Sequence, residues 1–192
     1  MRRMRCIIIV CVALSLLAGC GRKQNKIVED NAQKVAEAFN ETDMDAINET
    51  IFGPDEVKAV GQNSDTQSET EKSREGVLES IFRHVTIEVK KTTDRTIEYE
   101  ITAPDMRDVF AGLDFDKTNM SSDELLQMIK DYAQNAEKRV ETVSLSYSLY
   151  DGKPIVNYKE EAFINAITGG FLDAYKSLYA EMISEYEEGD QE

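Results

Sequence analysis

Tryptophan is absent from this sequence, histidine occurs once, and no cysteine stands beyond Cys20. Cys6 and Cys11 lie inside an N-terminal apolar run and Cys20 closes it, so the chain that follows has no thiol pair to join. A disulfide framework, a cysteine-ligated zinc site and a thiol nucleophile are excluded there. With His84 alone, neither a histidine cluster nor a Cys–His pair can be assembled. No nucleophile elbow supports a Ser–His–Asp arrangement. Basic residues are scarce as well: 22 lysines and arginines stand against 37 aspartates and glutamates. That balance excludes the basic footprint nucleic acid requires and disfavours flat adsorption onto anionic lipid. Long apolar runs are missing except for residues 6–19 (CIIIVCVALSLLAG), which fall short of the roughly 20 needed to span a bilayer.

That run follows MRRMR, three arginines without an acid, and precedes the polar Arg22-Lys23-Gln24-Asn25-Lys26. A basic head, an apolar stretch and a small-residue end are the layout of a secretory signal, here residues 1–19. An uncleaved anchor helix is the other reading. Residues 20–26 then serve as a tether. Loss of residues 1–19 leaves 173 residues with 19 bases and 37 acids, a formal charge of −18. The length suits one domain with a sizeable core, residues 27–186, and an acidic tail over 187–192.

Apolar residues recur at helical spacing through 27–41, with Val28, Val35 and Phe39 on one side. A second helix follows Thr42 or Asp43 as cap and stops at Gly53-Pro54. Residues 61–71 (GQNSDTQSETE) offer no aliphatic side chain and read as a mobile loop. A third helix presents Val77, Leu78, Ile81, Phe82 and Val85. The period then drops to two: Val85, Ile87 and Val89, then Ile97, Tyr99, Ile101 and Ala103, joined by a polar hairpin, KKTTDR. Pro104 closes the strand and opens a helix at its first turn. Ser121 and Glu124 form a capping box for the next helix. Val143 to Leu149 alternate as a third strand, Asp151-Gly152 turns the chain, and PIVNY returns as the fourth. A short helix ends at Gly169-Gly170, and a long one carries Phe171, Tyr175, Leu178, Tyr179 and Tyr186 along a stripe. Its acidic end is expected to fray. This order reads as α+β: helices on a curved antiparallel four-stranded sheet, with helices inserted between the second and third strands and an amphipathic helix at the C-terminus.

Few residues carry chemistry. Asp114, Asp116 and Thr118 match the first ligand positions of an EF-hand, but Asn119 and Leu125 replace its glycine and its bidentate glutamate. The segment reads as a turn and a cap, and no metal or other cofactor is expected. Tyr99 and Tyr147, on alternating strands, are the candidate ligand contacts if the sheet curves into a cone, and core residues otherwise.

Leu17-Ala18-Gly19-Cys20 resembles the bacterial lipobox. The resemblance implies that Cys20 becomes the first residue of the processed chain and carries a diacylglyceryl thioether and an N-acyl chain. Each buried methylene contributes roughly 0.8 kcal/mol, and stable anchoring takes more than one chain. The protein is then held on the extracytoplasmic face of the cell membrane. Gly21 stands where an aspartate would resemble an inner-membrane retention signal. The element order, together with YSLYDGKPIVNYKEEAFINAITGG, resembles the nuclear-transport-factor-two-like (cystatin-like) cone fold of bacterial lipoproteins over about residues 27–170. With so few groups for chemistry, the favoured expectation is a non-enzymatic lipoprotein that binds a small ligand or an envelope protein. Relatives with this fold include isomerases and dehydratases that use His and Asp inside the cone, so His84 with Asp105 is the enzymatic alternative. A pure interaction module docking through the C-terminal helix is the third reading.

Overall fold

The computed structural model describes residues 25–53, 69–111 and 120–189. The expected signal segment with Cys20, residues 61–68 of the expected loop, the calcium-like segment 114–119 and residues 190–192 lie outside them. Helix α1 (25–40) places Val28, Ala32, Val35, Ala36 and Phe39 on one buried face. It starts at residue 25, two residues before the expected start of the domain. At its far end Asn40 accepts from the N–H of Ile87 at 2.8 Å and donates to the same residue's carbonyl at 3.1 Å, occupying the edge of the sheet. Helix α2 (Met44–Phe52) is capped by Asp43, whose carboxylate accepts from the Ala46 N–H at 3.1 Å, and ends at Gly53. Helix α3 (Glu69–Phe82) buries Ile81 and Phe82.

Strands β1 (Thr86–Thr92), β2 (Thr96–Pro104), β3 (Lys138–Tyr150) and β4 (Lys153–Val156) form an antiparallel meander in that order, not closed into a barrel. Helix α4 (Ser122–Asn135) is inserted between β2 and β3; α5 (Glu161–Ile167) and α6 (Phe171–Gly189) follow the sheet. The fold class is α+β, as the patterning implied. Register aligns Val89, Tyr99 and Val143 across three strands, and Ile97 with Leu145, all on the covered face. The other face carries Glu88, Glu100 and Thr142 in one row, with Lys90 bridging the two glutamates. Rings from five segments occupy the space between helices and sheet. Phe39 meets Phe82 and Phe163 edge-on at 5.4 and 6.2 Å, and Tyr99, Tyr158 and Phe163 complete the cluster at 5.4 to 6.4 Å.

Several further boundaries differ from the sequence reading. Residues 69–71, expected in the loop, open α3: glutamates are good helix formers and suit a helix N-terminus, although they give no apolar period. Pro104 ends β2 without starting a helix, and 107–111 form turns. The amides that would begin a helix are used elsewhere: Asp105 donates to the Glu137 carbonyl at 2.8 Å and Met106 to the Gly169 carbonyl at 2.8 Å. β1 runs on through Thr92 with a bulge between Val89 and Lys91, which leaves only 93–95 of the expected hairpin connection. Finally, α6 extends to Gly189, three residues into the segment read as an acidic tail.

Candidate functional site

Tyr99 and Tyr147 lie on the same face of the sheet, on neighbouring strands. Tyr99 is fully buried, and its hydroxyl meets that of Tyr158 at 3.0 Å. Burial and the facing hydroxyl push the Tyr99 phenol far above its ordinary value; burial also raises Tyr158. Tyr147 is half-buried and donates to the Thr93 carbonyl at 2.8 Å. Both hydroxyls are thus engaged within the protein.

His84 and Asp105 stand at the same end of the β1–β2 pair, just outside the Thr86–Thr102 pairing. No bond joins them among the described residues. Arg107 grips Asp105 through Nε at 2.8 Å and Nη2 at 2.5 Å, which lowers the pKa of that carboxyl. The charges that reach His84 are cationic. Partial burial lowers its pKa first, and Lys138 and Arg83 lower it further. Lys138 also donates to the His84 carbonyl at 2.9 Å. An imidazole in such a field is short of the carboxylate that would raise its basicity. Nearby, Arg139 and Glu141 form an ion pair on the inward face of β3. Among the described residues no three of His, Cys, Asp or Glu are grouped to hold a metal ion.

The opening in the surface lies elsewhere. A groove of about 480 Å³ runs between α3, α4 and α6. Helix α3 contributes Val77 and Leu78; α4 contributes Leu125, Leu126 and Ile129. Helix α6 supplies Phe171, Tyr175 and Leu178, and Phe110 lies against Phe171 with ring centroids 5.6 Å apart. Among the described residues its polar lining side chains are Ser122 and Tyr175, and none that lines it is charged. The walls are well fixed. The Ser121 hydroxyl accepts from the Glu124 N–H at 3.3 Å while the Glu124 carboxylate accepts from the Ser121 N–H at 2.8 Å, closing the capping box of α4. Helix α6 starts at Gly169-Gly170, both with positive φ, as the paired glycines suggested. Sequence reading assigned the lining residues to buried helix faces. Tyr175 (53%), Tyr179 (58%) and Ile183 (45%) are exposed, the condition attached to the docking-helix reading; their four-residue spacing alone is that of any core stripe. No helix among the described residues is long and apolar enough to cross a membrane. No protein-family model, curated protein or solved structure matches the chain.

Proposed function

We propose that this protein is a lipid-anchored, extracytoplasmic lipoprotein of nuclear-transport-factor-two-like fold. It is non-enzymatic and binds an apolar partner in the groove between α3, α4 and α6. One observation carries the reading: packed rings occupy the space under the sheet, whereas the groove is open and its described lining is uncharged and almost wholly apolar. Its volume falls in the range of ligand sites, about 300–1,000 Å³. The chain has few groups for chemistry and many for adhesion.

A neutral solvatochromic dye, Nile red, tests the site. The buried core spans Val28 to Ala174, so a chain beginning at residue 21 keeps the whole folding unit. The dye is expected to brighten and shift to the blue on this protein. Leu126→Arg, which places a charge in the groove, should weaken dye binding at least about tenfold, and Tyr147→Phe should leave it unchanged. Equal dye binding by Leu126→Arg, with circular dichroism showing both proteins folded, would refute the groove as the site.

A further inference from the structure

The groove does not end where its volume ends. Tyr175 lines it and also begins the exposed line Tyr175, Tyr179, Ile183 on α6. Eight residues of helix extend that line by about 12 Å. An occupant that covers both is elongated, longer than a ligand confined to the groove. The surroundings set its charge. Helices α3, α4 and α6 together carry 12 acidic residues against four basic ones. The described lining is uncharged and the helices that frame it are strongly acidic in sequence. A second copy would bring the same acidic helices against themselves, which costs free energy. A partner with bases beside an apolar face meets both conditions. Of the structures that present an apolar stripe of this length, a helix is the one that lies between helices as a further bundle member.

Resting on the groove as the binding site, we infer that its occupant is an amphipathic helix of an envelope protein. One face of that helix carries apolar anchors, and lysines or arginines flank them. The anchors fill the groove and reach Tyr179 and Ile183; the bases sit among the carboxylates of α3, α4 and α6.

The test uses the chain from residue 21 and three synthetic 18-residue peptides: an amphipathic Leu–Lys helix, the same peptide with glutamate for lysine, and the Leu–Lys composition scrambled. The first is expected to bind and displace Nile red, with affinity falling at least about tenfold as salt rises from about 0.05 to 0.5 M. The other two should bind at least about tenfold more weakly. Tyr179→Ser should weaken the Leu–Lys helix about tenfold and leave Nile red unaffected. Equal binding of the glutamate or scrambled peptide would overturn the inference while the dye result keeps the groove standing. So would a Tyr179→Ser variant that binds the helix as well as the native chain. A dimer in sedimentation that Tyr179→Ser dissociates would assign the surface to a second copy and overturn it too. Loss of dye binding by the native chain would instead remove the groove reading on which the inference rests.

Discussion

Gly169 holds φ at +63°, and a Cβ built there would overlap the carbonyl oxygen of Pro104. Its own carbonyl accepts from Met106 at 2.8 Å, so the turn is tied to the end of β2 and has no room to retreat. Gly169→Ala is expected to cost on the order of 3 kcal/mol, the left-handed backbone and the overlap together. For a chain of this size that lowers the thermal midpoint by roughly 6–12 °C. Gly152→Ala is the control: φ is +73° there, but nothing lies within 4 Å. It should cost only about 1 kcal/mol. A midpoint for Gly169→Ala no lower than for Gly152→Ala would show that α6 can shift away from the sheet. His84 gives a second residue-level expectation. Partial burial, Lys138 and Arg83 hold its pKa below the ordinary value in the folded protein. The unfolded chain therefore takes up its proton first as pH falls below about 6.5. The contribution to stability is complete above that pH and is lost as pH falls through the folded value. As this is the only histidine, the effect is cleanly assigned. Urea unfolding at about pH 7.5 and 5.5 should show native stability falling toward acid more than that of His84→Gln. Parallel slopes for the two proteins would contradict it.

Elements differ in how plainly their residues announce them. β2 alternates Ile97, Tyr99, Ile101 and Ala103 without interruption, and each is buried where the period puts it. The Ser121 capping box fixes the start of α4 by local chemistry alone. β3 was harder to read, because five residues precede its apolar alternation. Arg139 and Glu141 take inward positions there, and what makes charges tolerable on that face is their own pairing. No one-dimensional pattern reports that pairing. Pro104 misled for a similar reason: proline suits a helix start, but the following amides bond to Glu137 and Gly169, residues distant in sequence. The groove was illegible on the same grounds. Val77, Leu78, Leu125 and Leu126 carry the signature of buried helix faces, and only the placement of α6 leaves them half-buried around an opening. Fold class rests on period and caps, which are local; the site rests on how far apart three helices stand, which is not.

For the whole molecule, the proposed anchor and the charge act together. The first described helix begins at residue 25, so five Cα–Cα steps across four intervening residues separate it from Cys20. A chain of that length reaches at most about 17 Å. Once lipidated at Cys20, the domain stays within a short distance of the bilayer. On the same reading, loss of residues 1–19 leaves a formal charge of −18, which anionic headgroups repel, and this would keep the domain off the lipid with its surface left to other proteins. One substitution tests this arrangement at its root. Cys20→Ser removes the sulfur that the lipobox reading requires for the thioether, while MRRMR and the apolar run of residues 6–19, which the same reading assigns to export, stay intact. Metabolic labelling with a radioactive fatty acid should mark the native protein and leave the variant unmarked. Fractionation should move the variant from the lipid-anchored pool to released protein or to a precursor that keeps residues 1–19. Retention by the apolar run alone would also hold a precursor at the membrane, so the label and not the location decides. Equal labelling of native and Cys20→Ser proteins would refute the anchor, and with it the confinement of the groove to a membrane surface.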